Sequence, residues 1–267
     1  MECSKVNLKI DEGVGFITLN NPLERNVISE QMLSELEAAL RHCNDEIVRV
    51  VVITGKGAHF CSGVDVDKLH HVLKDDGSHE LSAYLFRLTN KIHKDVISKI
   101  RQLRKPVIAS INGLVLGEGL GLALACDLRI AAKDARFLLG YTNIGTTATC
   151  GITYYLPRLI GSACASELFM LNQPISAGRA LEVGLVNRVV PADDLNRHAT
   201  ELARRLATGP TLAYGRTKLL MDNSWSGDLI SGLDQEARTI AEMALTGDVE
   251  EGINAFIEKR RPKFKDA

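Results

Sequence analysis

Two stretches of this chain restrict its fold more than any others. Residues 48–53 and Val107–Ile111 are runs of apolar, mostly β-branched residues, interrupted by Arg49 in the first and by Ala109-Ser110 in the second. Runs of this kind read as strands buried on both faces, the environment of a parallel sheet covered by helices. Glycines follow both: Gly55, Gly57 and Gly63 after the first, Gly113, Gly117, Gly119 and Gly121 after the second. A half-chain that alternates strands and helices in this way predicts an α/β fold.

The remaining punctuation fits that class. Residues 6–10 and 14–19 read as a hairpin about Asp11-Glu12-Gly13. Ser29 is a candidate N-cap for a helix that carries Leu33, Leu36 and Leu40 on one face. Residues 64–82 are polar and His-rich around Lys74-Asp75-Asp76-Gly77, and predict a mobile loop before a long helix over 80–103. Residues 128–132 read as a further strand. From Thr153 onward the pattern is helical, broken by a short strand over 186–190. Repeats at solenoid periods and Pro/Ser-rich linkers are absent from the sequence.

Composition removes several function classes. The 267 residues suffice for one large domain, and 45% hydrophobic with 24% charged residues is ordinary for a globular protein. Lys and Arg number 32 against 33 Asp and Glu, a net charge of −1, which argues against a general nucleic-acid surface. Aromatic residues, at 5%, are too few for a base-stacking platform. Six cysteines stand at 3, 43, 61, 126, 150 and 164 without a CxxC or metal-ligand spacing. The N-terminal residues show no basic or apolar leader, and no apolar run reaches the length of roughly 18 residues that a membrane span requires. These features predict a reduced, cytoplasmic protein with no metal, nucleic-acid or membrane partner; secretion is the alternative.

The sharpest local feature is Gly117-Glu118-Gly119 between a strand and the apolar helix over 120–126. The first N–H groups of a helix lack internal partners and lie at the positive end of its dipole. The GxGxG spacing argues against a dinucleotide turn, and no GK[ST] follows to make a P-loop. An oxyanion hole and simple tight packing remain. A second glycine loop, His59-Phe60-Cys61-Ser62-Gly63-Val64-Asp65, follows the other buried strand. Two such loops can each offer one N–H to the same oxygen, as stabilisation of a thioester enolate requires.

Several further pieces occur in order: Asn21-Pro22-Leu23-Glu24-Arg25-Asn26, residues 60–65, residues 105–113 with 117–127, Leu156-Pro157-Arg158-Leu159-Ile160-Gly161, Ile175-Ser176-Ala177 with Ala180, Gly184-Leu185-Val186-Asn187, and residues 256–264. Together they resemble the crotonase (enoyl-CoA hydratase/isomerase) superfamily almost from end to end. The resemblance implies a core of stacked ββα units over 1–195, and a C-terminal helical region over 196–267 that makes trimers or hexamers. It implies an acyl-CoA or acyl-carrier thioester as ligand, with no cofactor beyond CoA itself. The thioester oxygen would lie between the N–H groups of Val64 and Glu118, flanked by Ser62, Gly63 and Gly117. The adenine and phosphate end of CoA would lie near Leu23, Arg25 and Asp65 to Lys68, with Lys259 reaching in from an adjacent subunit. Plain solvation is the competing account of these basic residues.

The resemblance breaks at the acids. Hydratases of this family use two carboxylates, whose positions here hold Gly121 and Tyr141; a third acidic position, used by some isomerases and a dehalogenase, holds Thr149. Tyr141, with an ordinary pKa of about 10, can donate a proton but is a poor base at neutral pH. Glu118 is either a helix-dipole carboxylate or an acid/base displaced by three residues. Thr142, Asn143, Thr146, Thr147 and Thr149 form a hydroxyl-rich run where the pocket wall is expected. Cys150 reads as a buried thiol, reactive only if a His stands beside it. His70, His71, His79 and His93 come from the segment that covers the pocket in relatives. The implied chemistry is isomerisation, atypical hydration, decarboxylation or C–C bond chemistry; a silent thioester-binding protein is the alternative. Loss of CO2 needs no strong base. Every version requires the Val64 and Glu118 amides to face one point and to be free of internal partners.

Overall fold

The computed structural model describes residues 4–266; Cys3 lies outside them. Strands β1 (Val6–Asp11) and β2 (Val14–Leu19) form an antiparallel hairpin. Its turn holds Glu12 at φ 48° and Gly13 at φ 76°, the left-handed pair that a tight two-residue hairpin needs. The chain then alternates between two sheets. Strands β3 (Val50–Gly55), β5 (Val107–Ile111), β7 (Leu128–Ala132) and β10 (Arg188–Val190) extend the hairpin into a six-stranded sheet, β1-β2-β3-β5-β7-β10, parallel from β2 onward. Strands β4 (His59–Cys61), β6 (Leu114–Leu116), β8 (Arg136–Leu138) and β9 (Ile175–Ser176) make a second sheet in that order.

Helices return the chain between strand pairs: α1 (Glu30–His42), α2 (Val66–Ile92), α3 (Ser98–Gln102), α4 (Glu118–Ala125) and α5 (Ile152–Ile160). They are followed by α6 (Ser162–Leu171), α7 (Ala177–Glu182), α8 (Leu195–Ala207), α9 (Thr211–Ser224), α10 (Leu229–Met243) and α11 (Gly247–Ile257). Each turn therefore gives one strand to each sheet and comes back through a helix, the stacked ββα arrangement that the resemblance implies.

The buried runs serve two cores. Val51, Ile53, Val107, Ala109 and Ile111 join the main interior with Leu33, Leu36 and Leu40 of α1. The alternate residues Val50, Val52 and Ile108 face a smaller core against Leu195, Ala199, Ala203 and Ala207 of α8. Both faces of the sheet are covered, so both register positions are mostly apolar, and the buried Arg129 of β7 is tied down by hydrogen bonds to Leu185 O and Cys126 O. Helix α8 spans the division expected at 195/196, and packing continues across it. The Ser29 cap forms as expected, its hydroxyl accepting the Met32 N–H at 3.2 Å.

Residues 64–82, expected as a mobile loop, are helical. The Asp65 carboxylate caps α2 by accepting the Lys68 N–H at 3.0 Å, and Leu69 and Val72, three residues apart, are buried. His70, His71, Asp75, Asp76 and His79 are exposed; their polarity marks a solvated helix face rather than a loop. Gly77, at φ 83° and ψ −179°, interrupts the helix without ending it. A π-helical turn, His93–Ile97, then inserts one extra residue before α3. The strands of the second sheet escape sequence reading because they span only two or three residues, too few for a period to show.

Candidate active site

Topology places the two glycine loops together. Strands β4 and β6 are parallel neighbours, His59 opposite Leu114 and Cys61 opposite Val115, so the chain leaves both at the same edge. The first loop is held from outside: the Ile28 N–H donates to Gly63 O at 2.7 Å and the Ser62 N–H to Arg25 O at 3.1 Å. Asn26 braces this segment. Its Oδ1 accepts the Asn21 N–H at 2.9 Å, and its Nδ2 donates to Lys56 O at 3.0 Å and His59 O at 2.7 Å. The Asn21-to-Asn26 piece is therefore a clamp, and it leaves Leu23, 97% exposed, and Arg25 in solvent beside the first loop.

At the second loop Gly117 takes φ 54° and ψ −122°, a conformation strained for any residue with a Cβ. Helix α4 opens at Glu118, whose N–H lacks an intrahelical partner. The Glu118 side chain is only 7% exposed and turns back over its own helix start. Its Oε2 accepts the Val64 N–H at 3.1 Å, and its own main-chain N–H also supports the carboxyl. Gly63 makes the approach possible, since a Cβ there would stand 2.7 Å from Glu118 Oε2 and 3.3 Å from Glu118 N. The two amides thus point at one place. They are not free, as the sequence reading requires: the Glu118 carboxyl occupies that place. Burial pushes the Glu118 pKa up more than the two N–H groups pull it down. No cation stands against it among the described residues.

The expected acidic positions form the opposite wall. Tyr141 opens a 3-10 turn and is 5% exposed. Its hydroxyl is buried beside the Glu118 carboxyl and the Thr149 main chain without a well-formed hydrogen bond to either, and burial followed by the neighbouring charge pushes its pKa up. Position 121 has no room for a carboxylate, because a Cβ on Gly121 would lie 2.4 Å from Cys150 Cβ and 2.7 Å from Cys150 O. The turn that fills this space is strained, with Cys150 at φ 55°. His93 staples it: Nε2 accepts the Cys150 N–H at 3.0 Å and lies 2.9 Å from Thr149 Oγ1. An Nε2 that accepts a main-chain N–H belongs to a neutral imidazole protonated at Nδ1. Burial lowers the His93 pKa in keeping with this.

Cys150 has its His, but the bond is to the amide, and burial pushes the thiol's pKa far up; it is a packed thiol. Thr142, Asn143, Thr146 and Thr147 are exposed rather than lining a wall, as are His70, His71 and His79. Asp65 caps α2, and Lys68 is exposed on the same helix. Lys259 is exposed beyond α11, where Arg260 is held by Glu251. Of the expected set the structure gathers Val64, Gly63, Gly117, Glu118, Tyr141 and Thr149, together with His93, the one of the four expected histidines that reaches this wall. Among the described residues no group of three metal-ligating side chains forms, and no helix is long and apolar enough to cross a membrane.

Comparison with known proteins bears on the family and the fold. A family model described as enoyl-CoA hydratase/isomerase matches residues 9–267. The 1,2-epoxyphenylacetyl-CoA isomerase of Escherichia coli is 33% identical over 256 residues, 96% of each chain. The 2,3-dehydroadipyl-CoA hydratase of the same organism is 34% identical over 266 residues, covering 98% of this chain and 99% of the relative. The crystal structure of an enoyl-CoA hydratase from Bacillus anthracis superposes with a TM-score of 0.90 at 36% identity, over 98% of this chain and 99% of that one.

Proposed function

The chain belongs to the enoyl-CoA hydratase/isomerase family of the crotonase superfamily, and on that premise we propose that it forms and quenches a thioester enolate held by the N–H groups of Val64 and Glu118. It is an acyl-CoA enzyme of the hydratase/isomerase kind. One observation carries the finer statement: the Val64 N–H of one loop already holds a carboxyl oxygen beside the Glu118 N–H of the other. A site that holds a carboxylate oxygen has the donors for an enolate oxygen, and each such donor contributes about 2.7–4 kcal/mol to a barrier.

A second reading concerns the reaction. Cys150 closes the space at Gly121, so a water-holding carboxylate cannot stand there, and Tyr141 and Thr149 are weak bases. That favours a step needing no strong base, such as loss of CO2 from a malonyl-type thioester. Arg25, Lys68 and, from a neighbouring subunit, Lys259 are proposed for the CoA phosphates. The exposed Leu229, Ile230, Ile240, Leu245, Phe256 and Ile257 support assembly into trimers or hexamers. Among the described residues five cysteines are free, four of them buried, which supports a reducing, cytoplasmic location.

The test is turnover of crotonyl-, malonyl- and methylmalonyl-CoA. At least one is consumed, and Gly117→Pro abolishes it, because proline holds φ near about −65° where the loop needs 54°. Tight CoA binding with no turnover across the panel would leave a silent binder instead.

A further inference from the structure

The oxyanion hole of this chain carries its own occupant. Glu118 supplies one of the two donating amides and also fills the hole with its carboxyl. A thioester oxygen cannot take the Val64 N–H while that carboxyl holds it. The side chain hangs from the same Cα as the N–H that would grip the oxygen, so once displaced it stays within one side-chain length of the acyl carbon next to the carbonyl. The wall it would turn toward carries Tyr141, whose buried hydroxyl has no well-formed hydrogen bond. The sequence supplies no other carboxylate at the expected acidic positions, and Gly121 has no room for one.

We propose that Glu118 is both the stopper of the oxyanion hole and the proton donor to the enolate: the thioester oxygen displaces its carboxylate, the displaced carboxylate takes up one proton from solvent, and that proton passes to the α-carbon. The enolate π pair forms the new C–H bond, the Glu118 O–H bond breaks with its pair left on oxygen, and the C=O bond is restored. The carboxylate then returns to the two amides as the product leaves. One proton enters on binding and one is built into the product.

Proton uptake follows from the surroundings of Glu118. Displacement removes the two N–H groups that favour the charged form and leaves the burial that opposes it. The titratable groups around it are Cys61 of β4, Tyr141 of the 3-10 turn and Cys150 before α5, with His93 behind Cys150. Burial pushes Cys61 up to about 12 and raises Tyr141 and Cys150 as well, so all three keep their protons. His93 is held neutral as an acceptor. Glu118 is the group left to change.

The proposal rests on the thioester-binding function above, and two CoA ligands separate the failures. Butyryl-CoA carries the carbonyl; S-butyl-CoA has CH2 in its place. Calorimetry in buffers of different protonation enthalpy counts protons. Wild type takes up close to one proton with butyryl-CoA and none with S-butyl-CoA, and its butyryl-CoA affinity falls up to tenfold per pH unit as pH rises. Glu118→Gln binds both ligands without uptake, and its exchange of the butyryl α-hydrogen with D2O drops about 10²- to 10⁴-fold. S-butyl-CoA binding shows that the variant is folded. Equal uptake with both ligands, or exchange undiminished in Glu118→Gln, would overturn the role of Glu118 and leave the family function standing. Failure of wild type to bind either ligand would overturn both.

Discussion

The two ends of helix α4 carry one carboxylate each, and they are treated in opposite ways. Asp127, just past the C-terminal end, is saturated. Its Oδ1 accepts from Arg101 Nη1 at 2.9 Å; its Oδ2 accepts from Lys218 Nζ at 3.0 Å and from the Val107 N–H at 2.8 Å. Arg101 continues to Asp222 of α9, so the cluster ties α3, β5 and the C-terminal helices to the core. Glu118, at the N-terminal end, has two amides, a phenol beside it without a well-formed bond, and no cation. A carboxylate gripped by two cations and a main-chain N–H is fixed in place, and it works as a rivet. One held without any cation in a dry site is free to move, and that freedom is what proton chemistry requires.

The contrast predicts effects of different size and sign when each end is disturbed. The largest belongs to the rivet. Asp127→Ala leaves Lys218, whose pKa burial already lowers, without its anion, and should destabilise the fold by about 3–5 kcal/mol. Urea unfolding reads this directly, and a loss under about 1 kcal/mol would place Asp127 with ordinary surface ion pairs.

A middling effect belongs to His93, on the wall beside Glu118. His93→Ala orphans the Cys150 N–H in its strained turn and should cost about 1–3 kcal/mol. Its pH dependence has a defined direction. Burial holds the folded-state pKa of His93 below its ordinary value of 6.5, so the unfolded chain takes the proton first as pH falls. Stability is therefore complete above pH 6.5 and declines below it, and His93→Gln should flatten that decline in thermal melts.

The smallest effect on stability, with the largest on chemistry, belongs to Glu118→Gln. Burial raises the folded-state pKa of Glu118 above its ordinary value of 4.5. Its contribution is whole below pH 4.5 and is lost as pH rises through the folded value. The Gln variant should match wild type in acid and equal or exceed its melting temperature at neutral pH. A destabilisation as large as that of Asp127→Ala would erase the distinction between the two ends.

Much of this was legible in the residues. The alternation of Val51 and Ile53 with Val50 and Val52 is a property of the strand itself, and it required a sheet covered on both sides. Ser29, the Glu12-Gly13 turn and the glycines at 63 and 117 act within a few residues, so local physics suffices to recognise them. The short strands of the second sheet did not show, because two or three residues carry no period. The first part of α2, residues 66–79, was hidden because its exposed His and Asp residues outweigh Leu69 and Val72, the two apolar residues that anchor it. The unfavourable fit of Gly121 against Cys150, and the approach of His93 to Thr149, join residues 29 and 56 or more positions apart.

By itself the sequence determined which backbone groups would be available: glycine loops after buried strands, and an apolar helix whose first amide needs a partner. That is local, because a positive φ or a missing Cβ acts on its own turn. Tertiary structure decided who that partner is. Only the pairing of β4 with β6 brings Val64 to Glu118, and only their approach across a Cβ-less Gly63 lets the carboxyl reach both amides. Hydrogen bonds are made across space between residues 54 positions apart, and no local pattern encodes such a meeting.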